Sequence, residues 1–164
     1  MKTFLRTFAW LPLIVWLGGE FFFVITAWAA FHTLPYDAHA AGMIVRLCLL
    51  TLHREGIYCG CIMIIFLALG FGARAFRSTA LPAILVVLIM MGLTAYSQYS
   101  IIPRMDRDLA ATGGTIESVP PTNPSRVEFN HLHHISVDVE SAVMIGGILV
   151  AVLLAHASGI EDRR

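Results

Sequence analysis

The chain has 164 residues, 57% of them hydrophobic and only 13% charged, and its 11 basic and 11 acidic side chains cancel. A soluble domain carries about 25% charged residues, so most of this surface cannot face water. The neutral balance and the lack of a basic stripe exclude a nucleic-acid binder.

In a bilayer every backbone N–H and C=O must be paired within the protein, which leaves helices or a closed barrel. The apolar stretches run on without period-2 alternation, so helices are expected. The composition thus predicts an all-α, four-helix transmembrane bundle forming one domain over residues 1–164. The cysteines, Cys48, Cys59 and Cys61, give no disulfide framework. Cys59 and Cys61 stand about 200° apart around a helix and cannot share an ion; they read as small hydrophobes.

Lys2 and Arg6 open the chain, and residues 8–31 are apolar apart from Glu20, Thr26 and glycines. This start has signal-peptide features, with Ala27-Trp28-Ala29 in the place of a cleavage site. Its apolar core exceeds the roughly 7–15 residues of such a signal and contains a carboxylate, so it reads as a first transmembrane helix over 8–31. Pro12 falls in the early turns, where a missing N–H costs little.

Pro35 breaks the chain, and Asp37 is placed to cap a second helix over 38–72. That helix reaches about 50 Å, against about 30 Å of hydrocarbon. Its first part, with His39, Arg46, His53, Arg54 and Glu55, is expected to protrude or lie at the interface. A short basic turn at 72–78 precedes a third helix over 81–102, with Pro103 after its end. Residues 104–125 read as the one real loop. A fourth helix is expected over 125–156, opened by Ser125 and Glu128 at capping-box spacing and likewise extending beyond the membrane.

Four spans put both termini on one side. Lys2, Arg6, Arg74, Arg77, Arg163 and Arg164 lie there in short segments, against Arg46, Arg54, Arg104, Arg107 and Arg126 opposite. The positive-inside rule then places both termini in the cytoplasm of a bacterial inner membrane.

The densest polar cluster is Phe129-Asn130-His131-Leu132-His133-His134-Ile135-Ser136-Val137-Asp138-Val139-Glu140, at the head of the fourth helix. Leu52-His53 and Leu132-His133 share a Leu-His-x-x-small pattern that ends in Gly56 and Ser136. This suggests a duplicated hairpin, with the two histidines at depths matching within a turn, near the outer surface. Two histidines at one depth on separate helices can ligate a metal ion or a haem b iron. Asn130, His133, Ser136, Val137, Glu140 and Ser141 share one helix face, and His131, His134 and Asp138 the neighbouring one. Histidine with carboxylate suits zinc, iron or copper(II). His53, His131, His133, His134 and Asp138 are therefore candidate metal ligands, and His53 and His133 candidate haem ligands. The competing reading is polar glue, histidines bonding across helices or facing water. Gly56 and Ser136 either leave a cleft for a cofactor or let helices pack closely.

Glu20 falls near the middle of the first helix, where a bare carboxylate costs at least ~2.5 kcal/mol. It is expected to be buried and to face another helix, with Thr94 and Tyr96 as partners by depth. It serves either a proton or ion step or a structural hydrogen bond. Tyr96, Gln98, Tyr99 and Ser100 form a polar helix end whose tyrosines suit an aromatic belt. Met90-Met91 and the scattered methionines read as core filler.

Trp16-Leu17-Gly18-Gly19, Leu52-His53-x-x-Gly56 and Phe129-x-x-Leu132-His133-x-x-Ser136 resemble a family of four-helix membrane proteins catalogued as a domain of unknown function. That family is similar to a eukaryotic transmembrane protein linked to platinum-drug resistance and, more distantly, to CopD-type copper-resistance membrane proteins. The resemblance implies a four-helix integral membrane fold and no established reaction. Its family-like positions are Gly18, Gly19, His53, His133 and Ser136; Glu20, His131 and His134 are not carried over.

Three functions fit these residues. The first is a membrane-embedded binding protein holding a metal or haem between the second and fourth helices, with Glu20 tuning it or relaying protons. The second is a structural or assembly protein, and the third a small transporter component. The implied partners are the lipid bilayer, other membrane proteins or a second copy; no catalytic residue is assigned. Reporter fusions at Arg164 and Gly114 should report opposite sides of the membrane, with Arg164 cytoplasmic. A periplasmic signal at Arg164 would refute this orientation.

Overall fold

Four long helices dominate the structure, a computed structural model that describes residues 1–73, 75–76 and 79–161. They are α1 (Lys2–Thr33), α2 (Ala38–Gly72), α3 (Ala80–Ala111) and α4 (Pro124–Glu161). All four are long and apolar enough to cross a membrane, and the chain is an all-α integral membrane bundle. Among the described residues there is no strand.

Asp37 caps α2 as expected, its Oδ1 accepting from the Ala40 N–H at 2.9 Å. The other boundaries differ from expectation. α1 begins at Lys2 rather than residue 8. α4 is capped by Asn123, whose Oδ1 accepts from the Ser125 N–H at 2.9 Å. Glu128, instead of closing a capping box, bonds Arg104 on α3.

The largest difference is at Pro103, which was expected to follow the end of the third helix. The helix is α-helical over Ala80–Tyr96, widens into a π turn at Ser97–Ile101 and resumes as α over Ile102–Ala111. Ile102 N–H reaches back five residues to the Ser97 carbonyl. Pro103 then sits in the first turn of the resumed segment, where no N–H is required. The loop is correspondingly shorter. It begins at Thr112, turns at Gly113 and Gly114 with φ of 76° and 91°, and holds one 3-10 turn at Ile116–Ser118.

Each helix packs on two others in a closed ring: α1 on α2, α2 on α3, α3 on α4 and α4 on α1. α1 and α3 therefore stand on one diagonal, α2 and α4 on the other. The Arg6 guanidinium donates to the Ala75 carbonyl from Nε at 3.3 Å and Nη2 at 3.1 Å, tying the start of α1 to the α2–α3 turn. This end is called the terminal face, and the opposite one the loop face. Arg74, Arg77, Arg163 and Arg164, which carry most of the charge assigned to the terminal face, lie outside the described residues.

The terminal half of the bundle is closely packed, and glycine makes it so. The Trp16 indole is buried against Gly56, where an added Cβ would meet its Nε1 at 2.5 Å, and against Gly60. Met90 fills the notch at Gly146, and Leu17 covers Gly147. Gly42, in the loop half of α2, has nothing within 4 Å of an added Cβ.

The two glycine substitutions should therefore differ in sign. Gly56→Ala forces the indole out of its notch and should lower stability by about 1–3 kcal/mol. Gly42→Ala should be neutral or stabilising by up to about 1 kcal/mol. Thermal unfolding of the purified variants checks both; equal effects would count against the Trp16 notch.

Candidate functional site

Each helix brings one polar side chain to a common level. Glu20 lies 18 residues after Lys2, His53 19 before Gly72, Gln98 18 after Ala80 and Glu140 17 before Ala157. At 1.5 Å per residue, all stand about 25–29 Å from these terminal ends of the four apolar spans. Measured from there, the layer sits toward the loop-side edge of an about 30 Å hydrocarbon core.

His53 is the hub of this layer and is 1% exposed. Its Nδ1 stands 3.0 Å from Gln98 Oε1, and its Nε2 stands 2.8 Å from Glu140 Oε1. The imidazole therefore joins α2 to α3 and reaches across the diagonal to α4. As placed, both nitrogens face oxygens, which is satisfied when both carry hydrogen; turning the Gln98 amide over offers the ring an N–H instead.

Glu20 is buried at 4% exposure, as expected, but its partner is on its own helix. Trp16 Nε1, one turn away, donates to Glu20 Oε1 at 3.2 Å. Thr94 and Tyr96, the partners expected by depth, make no bond to it. Thr94 Oγ1 is buried without a hydrogen-bond partner, and Tyr96 is 47% exposed. Ser97 Oγ and Glu140 Oε2 are likewise buried and unpartnered.

Above this layer the helices part. A cavity of about 520 Å³ runs from Glu20 and Glu140 to the loop face, bounded there by Phe31, His39 and Glu117. Ligand pockets typically measure about 300–1,000 Å³. The wall is largely apolar. Its one arginine, Arg46, forms a two-pronged pair with Asp106 of α3, Nε donating to Oδ1 at 2.7 Å and Nη2 to Oδ2. His133, Ser136, Glu140 and Ser141 supply the polar strip of α4.

The predicted site residues fall into separate places. His53 and His133 do not share a ligand position: both nitrogens of His53 are directed at Gln98 and Glu140. The expected match in depth fails too. His53 is level with Glu140, and His133 lies seven residues farther along α4, about 10 Å toward the loop face. Asn130, His131, His134 and Asp138 are exposed. Among the described residues no three His, Cys, Asp or Glu side chains group as a metal site. Gly56 packs closely while Ser136 lines the cavity, so the two small residues serve opposite ends. Gln98, Trp16 and the Arg46–Asp106 pair are the residues that sequence reasoning did not place in the site.

No protein-family model, curated protein or solved structure matches the chain. The site is therefore read from its own geometry.

The His53 tie can be tested by unequal losses. His53→Leu leaves Glu140 buried without its partner and should cost roughly 3–5 kcal/mol. Adding Glu140→Leu removes the stranded charge and should recover most of that loss. Denaturant unfolding of the single and double variants measures both; additive losses would show that the two side chains are not coupled.

Proposed function

We propose that the protein is a membrane-embedded binding protein that takes an amphiphilic small molecule into the cavity on its loop side. The observation that carries this is the contrast between its halves. Trp16 and the glycines close the terminal half, while the loop half opens into an apolar cavity floored by a buried carboxylate, Glu20, and a half-buried one, Glu140. A bundle that served only as a scaffold has no need of such a space. An organic occupant suits it better than an ion or haem iron held by His53 and His133, because His53 has no nitrogen free. We place the termini in the cytoplasm of a bacterial inner membrane, which opens the cavity toward the periplasm.

Gly42 gives the test, because it lines the cavity and has open space at its Cβ position. Gly42→Phe should fill the cavity while the bundle stays folded. Protein in lipid nanodiscs should take up a neutral, polarity-sensitive naphthalene dye beyond the uptake of empty nanodiscs. Gly42→Phe should reduce that excess at least fivefold with an unchanged unfolding temperature. Equal uptake by both proteins would refute the binding role and leave the structural one.

A further inference from the structure

Glu20 and Glu140 approach the cavity floor from α1 and α4, and each uses one oxygen only. Glu20 Oε1 accepts from Trp16, and its Oε2 has no hydrogen-bond partner among the described residues. Glu140 Oε1 faces His53, and its Oε2 is buried and unpartnered. A buried oxygen without a partner, as Glu140 Oε2 is, costs free energy that a bound group can return. The cationic side chains do not supply that group. Arg46, the one arginine on the wall, pairs with Asp106 through Nε and Nη2; His53 bonds Glu140 and not Glu20, and His39 and His133, which also line the cavity, bond neither carboxylate.

The rest of the wall sets the shape of what fits. Phe23, Phe31 and Phe129 line the cavity, and aromatic faces attract cations. Met43, Met105 and Met144 line it as well, and methionine adapts to irregular apolar bodies. A small hydrated ion would leave this apolar wall unused. An anion would meet two carboxylates, and a neutral lipid tail would leave both free oxygens unpaired.

We infer that the ligand is an amphiphilic organic cation, its charged centre set between Glu20 and Glu140 and its apolar body against the aromatic and methionine wall. This rests on the binding role proposed above. It adds a charge preference that the cavity alone does not require.

Two rigid ions of nearly equal size and opposite charge separate the claims: tetraphenylphosphonium and tetraphenylborate. Equilibrium binding of each to nanodisc-embedded protein is compared with empty nanodiscs and with Gly42→Phe. The wild type should bind the phosphonium at least tenfold more tightly than the borate. Glu20→Gln and Glu140→Gln should each cut that ratio at least tenfold. If Glu140→Gln fails to fold, Glu20→Gln, which lies outside the His53 tie, decides alone. Equal binding of the two ions, or a ratio unmoved by Glu20→Gln, overturns the charge preference while the binding role stands. Failure of the dye and both ions to bind beyond the Gly42→Phe level overturns both.

Discussion

One imidazole sets the geometry of this bundle. His53 is almost wholly buried and meets an amide of α3 and a carboxylate of α4 within 3.0 Å. An ionisable group so placed cannot be left without partners, since a stranded buried charge costs several kcal/mol. The helices must therefore stand at heights and rotations that bring Gln98 and Glu140 to it. A slip of one turn in any of the three would move a partner by about 5.4 Å and break the contact. Hydrophobic packing in a membrane is tolerant of such slips, because lipid is as apolar as the helix surface. The polar layer is what makes one register preferable to its neighbours.

Below that layer, the glycines decide how closely helices approach. Gly56 and Gly60 accept the Trp16 ring, and that ring in turn offers its N–H to Glu20. A single side chain thus seals the terminal half and orients a carboxylate at the foot of the open half. Leu52 closes over Gly19 in the same zone, leaving an added Cβ there only 2.8 Å from its Cδ1. The short motifs Trp16-Leu17-Gly18-Gly19 and Leu52-His53-x-x-Gly56 are two sides of one contact.

Much of this was legible in the sequence, and the failures are specific. Continuous apolar runs gave four helices because a bilayer permits little else, and Asp37 marked the start of α2 correctly. Glu20 was recognisable as a buried group from its place in an apolar run, although its layer lies nearer the loop face than the mid-membrane depth expected. The matched histidines misled. The Leu-His-x-x-small pattern ignores where each helix begins: His53 is 15 residues beyond the start of α2, His133 only 9 beyond the start of α4. Gln98 was hidden between Tyr96 and Tyr99, which are exposed and do suit an interfacial belt. Its inward aim depends on the π turn that begins at Ser97, and hydropathy has no signal for that turn. Pro103 pointed the wrong way for the same reason. The cavity could not be read at all, because empty space between helices depends on which side chains are missing from a face.

The π turn has a consequence for how this architecture can vary. Such a turn holds one residue more than an α turn, so the segment beyond it runs about 100° out of phase with the segment before. α3 is in effect two helices sharing one axis, keyed separately. Gln98, inside the turn, meets the polar layer, and the segment beyond aims Asp106 at Arg46 on the cavity wall. Removing one residue between Ser97 and Ile101 would restore a plain helix and swing the mouth of the cavity relative to its floor. Because Gln98 lies in the turn itself, a change of one peptide unit there reaches both the polar layer and the mouth above it.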